Sequence, residues 1–299
     1  MLLPIILSLT AALLFAVASV LQDQGTQEVS GENAVDASFL VSLAKRKVWL
    51  AGIAADILGF IFQAWALVVG SLLLVQPLLI TTLLFALPLA AYTQHRWLTL
   101  REWFWAALLT ASLITFMLLG EPSEGIKDPS FKAWIIPLAV LIPLVALFVV
   151  RGARLPHGSG RSLMLAIAAG ILLGLSAPFT KTGIAAFHES FLHGLTSWEF
   201  WAMAVTATLG TLWQQSSYQA GDVQTSLPTV TVLKPVIAMA LGLTIYQEHL
   251  RVDRLGDITI IIAILLMFTS AVMLGRLATP EEEGATTAGG DSPAPKPAS

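Results

Sequence analysis

Apolar runs of about 20 residues recur from one end of the chain to the other, separated by short polar stretches. A helix needs about 20 consecutive apolar residues to cross roughly 30 Å of hydrocarbon. Nine segments meet that requirement: 2–21, 48–69, 71–91, 102–120, 132–150, 162–186, 198–219, 223–246 and 256–275. All nine are expected to be helices, because a lipid interior leaves the polar groups of an open backbone unsatisfied. The run at 198–219 is the weakest, interrupted by Thr206, Thr208, Gln214, Gln215 and Ser216. The longest internal loop, 22–47, holds an apolar stretch from Phe39 to Leu43 before Lys45-Arg46-Lys47, which reads as a short interfacial helix. Residues 280–299 are rich in Pro, Gly, Ala, Ser and Thr, with too little apolar surface to order themselves.

Composition supports a polytopic membrane protein. Of the 299 residues 56% are hydrophobic and only 12% charged, about half the charged fraction of a soluble domain, and the mean hydropathy is +0.78. An ordinary cytosolic enzyme, a secreted disulfide scaffold and a disordered chain are all excluded. The chain has no cysteine, so thiolate nucleophiles and Cys-based metal sites are excluded too. The net charge of -3, with Glu281, Glu282 and Glu283 in the tail, offers no basic footprint for nucleic acid. Ala16-Val17-Ala18 resembles a signal-peptide cleavage site, but the preceding Met1-Leu2-Leu3-Pro4 carries no positive charge, so the first run reads as a retained span.

Loop charge sets an expected orientation. One side holds Lys45, Arg46, Lys47, Arg96, Arg101, Arg151, Arg154, Arg161 and Arg276; the other holds Lys127, Lys132, Arg251 and Arg254. The first side is expected to be cytoplasmic, placing the N-terminus outside and the C-terminal tail inside, in the plasma membrane.

The chain also resembles itself. Gly59, Phe62, Gln63, Gly70 and Pro77 recur 151 residues later as Gly210, Trp213, Gln214, Gly221 and Pro228. Ala12, Ala16 and Gly25 align with Gly170, Gly174 and Gly183 at an offset of 158, the extra seven residues falling in the loop at 22–47. Five spans precede the second copy, so it enters the membrane from the opposite side. The expected fold is an all-α membrane protein of about nine transmembrane helices in an inverted-topology repeat, five plus four. Residues 1–150 form the first repeat, 151–276 the second, and 277–299 a disordered cytoplasmic tail. Inverted repeats are common in secondary transporters, with the binding site near midplane between the halves.

Charged groups inside apolar spans cost about 2.5–3.5 kcal/mol on insertion scales and are functional candidates. Asp56 lies about 12 Å from the cytoplasmic edge and Lys234 about 16–18 Å, at 1.5 Å per residue. They are expected to meet if their spans pack, either as a coupling site or as a structural ion pair. Lys181 sits near an outer span end, where snorkelling to the interface is the simpler expectation. Gly52, Asp56, Gly59 and Gln63 share one helical face, as do Gly210, Gln214, Ser217 and Gly221. Such faces either pack closely or line a wet cavity. Gln76, Gln215, Tyr218, Gln224 and Thr231 are further polar groups at membrane depth. Gly170 and Gly174 form a GxxxG pair suited to close helix packing, with Gly59 and Gly210 in the same role. Pro77, Pro178, Pro228 and Pro235 are candidate kinks. Trp49, Trp97, Trp103, Trp134 and Trp198 lie near span ends as an aromatic belt. His188-Glu189 with His193 is one residue too long for HExxH, and no nucleotide-binding or hydrolase motif is present.

Pro235, the small apolar run Val236–Gly242, Glu248 and Gly256 resemble the closing motif of the EamA-type drug/metabolite transporter superfamily. Gln22 to Gly25, Gly59 to Gln63 and Val75-Gln76-Pro77-Leu78 are similar to the NIPA-type magnesium transporter branch, which also has nine spans. That branch carries Glu after the glycine matching Gly59, where this chain has Phe60. The resemblance covers 1–276 and implies transport.

The leading expectation is a secondary transporter or exporter of a small metabolite or drug, working by alternating access and coupled to protons through Asp56 and Lys234. The alternatives are a divalent-cation pathway of the magnesium type and a non-transporting membrane scaffold. No enzymatic activity, metal or cofactor is expected. The expected partners are a small-molecule or ion substrate and the lipid bilayer, with a homodimer as one possible assembly and no nucleic acid.

Overall fold

The computed structural model describes residues 2–27, 45–220, 223–251 and 254–278. Phe39–Leu43, Gly221 and the tail from 279 lie outside the described residues, as do the side chain of Gln224 and the surroundings of Gly256. The described chain is helical: α1 (Leu2–Gln27), α2 (Lys47–Val69), α3 (Leu72–Leu79), α4 (Thr82–Thr93), α5 (Leu100–Gly120), α6 (Phe131–Arg154), α7 (Ser159–Glu189), α8 (Phe191–Thr196), α9 (Trp198–Gln219), α10 (Val223–Thr244) and α11 (Arg254–Ala278). Among the described residues no strand forms; an isolated antiparallel bridge joins Ser123 to His249.

Eight segments of the described chain are helical, long and apolar enough to cross a bilayer, with α3 and α4 together making one of them. The segment expected at 71–91 bends at Ile80–Thr81, where the amides of Ile80 and Thr81 bond three residues back to Pro77 and Leu78. The hydroxyls of Thr81 and Thr82 bond to the oxygens of Leu78 and Leu79 at 2.6 and 2.7 Å. The ninth expected span, α9, has 22 residues and is about 33 Å long. Its hydroxyl and amide side chains keep it out of the apolar set.

α7 is the most thoroughly buried span and packs on α2, α6, α9 and α10. Its sequence allows this, because Ala166, Ala169, Gly170, Gly174 and Ala177 let neighbouring helices approach closely. Gly170 faces Leu233, and Gly174 faces Ile237 and the backbone oxygen of Lys234, so the GxxxG pair lies against α10. α2 lies along α1 and α9 along α7. Gly59 meets the Phe15 ring, while Gly210 meets Leu173; Gly25 meets Trp49, while Gly183 meets Phe200. Both pairs of contacts are related by the offsets of 158 and 151 residues seen in the sequence.

The aromatic residues divide. Trp97 and Trp103 are exposed near a helix end. Trp134 is fully buried, which corrects its assignment to an aromatic belt. It stacks on Phe179 at 4.5 Å, and Trp198 and Tyr246 meet it edge-on. The position near a span end suits a belt residue equally well, but α7 and α9 cover this side of α6.

Candidate functional site

The most ordered polar cluster lies where the chain breaks between α2 and α3. Gly70 adopts an extended conformation, ending α2, and Ser71 caps α3 by accepting a bond from the Leu74 amide at 3.1 Å. A side chain at Gly70 would strike Pro4 of α1 and the Ala66 oxygen, so the break needs glycine. Such a break orphans carbonyls at the end of one helix and amides at the start of the next. Two charged side chains from the second half satisfy them. The Leu72 and Leu73 amides donate to the two oxygens of Glu248 at 2.9 and 3.0 Å. Lys181 Nζ donates to the Gly70 oxygen at 2.9 Å and to Glu248 at 2.7 Å. Each charge sits at the helix end whose dipole favours it.

Both partners are buried, with side chains 8% and 0% exposed, which corrects the expectation that Lys181 snorkels. An unpaired ammonium would reach for water; here a carboxylate, a carbonyl and the Tyr246 ring 5.0 Å away take its place. Tyr246 donates to the Pro178 oxygen at 2.7 Å. Burial pushes the Tyr246 hydroxyl up from its ordinary pKa, so it remains a neutral donor. Glu248 reaches the break because Gly242 leaves room; a Cβ there would lie 2.7 Å from the carboxylate. The Gly242 and Glu248 pattern was visible in the sequence. Its partner was not, because Lys181 is 67 residues away and looks like any charge near a span end.

Asp56 and Lys234 are placed differently. Their helices, α2 and α10, both pack on α7 but not along each other. Asp56 is exposed, Lys234 is half-buried, and each feels the other's charge. Among the described residues neither forms a hydrogen bond or an ion pair within 4.0 Å. The two side chains therefore do not meet as a close ion pair. Gly52 and Gly59, on the same face of α2, are used to seat it on α1. Gln63 on that face is also buried.

The remaining polar groups at membrane depth vary in partner. Gln76 is buried on α3, and its amide nitrogen has no hydrogen-bond partner. Gln214 donates to the Tyr218 hydroxyl at 2.6 Å, one turn along α9, and both are half-buried. Gln215 is exposed, and Thr231 bonds back to the Leu227 oxygen. His193 lies 3.5 Å from Glu189 at an exposed helix end. Among the described residues no group of three or more His, Asp or Glu is placed to hold a metal ion.

Among the described residues, eight apolar segments long enough to span a bilayer, the buried α7 among them, with polar and charged groups held between helices, define a multi-pass integral membrane protein. The chain belongs to one family with an uncharacterized protein of Corynebacterium glutamicum: the two are 32% identical over 285 residues, covering 93% of this chain and 96% of that protein. No family model and no solved structure matches the chain.

Proposed function

We propose that this protein is a secondary transporter of a small metabolite or drug, working by alternating access between two inverted repeats. The reading rests chiefly on Asp56 and Lys234: two opposite charges at membrane depth, on helices that do not pack along each other, near enough to interact but not joined in an ion pair. Charges are costly in hydrocarbon, and they persist where they face water or a ligand. A carboxylate that exchanges its counter-charge between a lysine and a bound solute links proton binding to solute binding without ATP.

The matched contacts of α1 with α2 and of α7 with α9 support the repeat, since the same pair of offsets relates them. Under this reading α9 is the ninth span, its polar side chains facing the interior, and the basic loops with the tail are cytoplasmic. Lys181 and Glu248 then join the two halves on the outer side, so their network is the outer closure. Purified protein in liposomes, supplied with a mixture of small metabolites and an imposed pH gradient, tests the reading. Mass spectrometry of the vesicle contents is expected to show a solute accumulating only when the gradient is present. Contents matching those of protein-free liposomes would refute it.

A further inference from the structure

α4 and α5 are joined by a turn of six residues, 94–99, yet they do not pack against each other; α4 lies on α1 and α5 on α11. In the second half α10 and α11 do touch. The space between α4 and α5 is a trough of three adjoining cavities, of about 430, 500 and 770 Å³. Leu84, Thr110 and Ile114 line both the first and the second; Pro88, Leu98 and Trp103 line both the second and the third. Along α5 the trough runs from Leu118 to Trp103, about 22 Å at 1.5 Å per residue. That exceeds the roughly 15 Å depth of one leaflet's hydrocarbon, half of about 30 Å.

The walls are apolar along this length, and the mouth is not. Arg96 lines the mouth with its side chain 33% exposed. Gln94 and Glu102 fix its guanidinium through Nε and Nη1 at 3.0 and 2.9 Å. Its Nη2 donates to no described residue. Arg101, in the first turn of α5, is exposed and adds a second positive charge beside the buried Glu102. Tyr92 and Trp97, 82% and 95% exposed, stand at the same mouth, the aromatic residues of a membrane interface.

We propose that this trough binds one membrane phospholipid, its acyl chain lying along α5 and its phosphate held by Arg96. The long apolar trough suits a hydrocarbon chain, and a pre-oriented guanidinium suits a phosphate oxygen. The site does not depend on whether the protein transports anything.

Native mass spectrometry of the full chain, delipidated in detergent and titrated with phosphatidylglycerol, tests the proposal. One lipid is expected to bind saturably, and inorganic phosphate at equal concentration is expected neither to bind nor to compete. Ala107→Trp fills the trough from an exposed position on α5, so affinity is expected to fall at least tenfold with the melting temperature unchanged. Arg96→Gln combined with Glu102→Gln removes the cation without stranding a buried carboxylate, and a similar loss is expected. Unsaturable lipid binding, equal binding of inorganic phosphate, or unchanged affinity in Ala107→Trp would overturn the proposal.

Discussion

Replacing Lys181 by methionine removes the ammonium that Glu248 faces and leaves the carboxylate buried on two backbone amides. Breaking one side of a buried pair costs about 3–5 kcal/mol, mostly because the remaining charge has lost its counter-charge. Glu248→Gln is expected to cost about the same: it strands Lys181 and turns an amide group toward one of the Leu72 and Leu73 donors. The double variant strands no charge. It leaves at most one backbone amide unsatisfied, about 1–3 kcal/mol; the Gly70 oxygen also loses its Lys181 donor, but it does so in the single Lys181 variant too, so that loss cancels in the coupling. The two single losses would sum to about 6–10 kcal/mol, so the coupling is expected to be at least about 3 kcal/mol. Reversible unfolding in mixed detergent micelles measures it. Trp134, which contacts Phe179, Trp198 and Tyr246 beside the pair, supplies the fluorescence signal. Losses that add within about 0.5 kcal/mol would mean the two residues act independently, and the account of the helix break would fail.

Gly242→Ala places a methyl 2.7 Å from the Glu248 carboxylate; a loss of about 1–3 kcal/mol is expected, with the Lys181–Glu248 coupling reduced in the same unfolding assay. Gly59→Ala and Gly210→Ala each push a methyl to 2.8 Å from the facing helix, so each is expected to cost about 1–3 kcal/mol; a cost at one site and none at the other would count against equivalent packing in the two halves. Tyr246→Phe removes a donor to the Pro178 oxygen and is expected to cost about 1 kcal/mol. Because the folded Tyr246 pKa is raised, this contribution is full below the ordinary tyrosine value of about 10 and is lost only as pH rises through the folded value. The difference from wild type should therefore be the same at about pH 5 and pH 9; a difference that shrinks across that interval would refute the burial argument.

Most of the fold was legible because hydrocarbon imposes one rule on every span: close the backbone bonds internally and face lipid with apolar side chains. That rule marked α2, α5, α6, α7, α10 and α11 within a few residues; α1 runs on to Gln27, six residues into the expected loop, because its last turns pack on α2 through Gly25 and Trp49. It could not mark the bend at Ile80–Thr81, since apolar residues continue through it. It also left α9 weak, since a helix packed on α7 needs less apolar surface than one facing lipid. The candidate site was half legible. Asp56 and Lys234 stand out as charges inside spans, but hydropathy carries no information on which helices are neighbours. Lys181 and Glu248 lie nearer span ends, where a charge is inexpensive. Their pairing depends on Gly70 and Ser71 breaking the helix opposite them, and only the three-dimensional packing brings that break to both side chains.

The central claim, proton-linked transport through Asp56 and Lys234, is tested most directly by Asp56→Asn in liposomes, with a pH gradient as the sole driving force. Asparagine keeps the size of the side chain and removes the titration. The account predicts that wild-type protein concentrates a solute inside the vesicles. The Asp56→Asn protein should insert normally and still exchange internal for external solute, yet fail to accumulate it. Accumulation by Asp56→Asn equal to wild type would contradict the account and leave the two charges with a structural role alone.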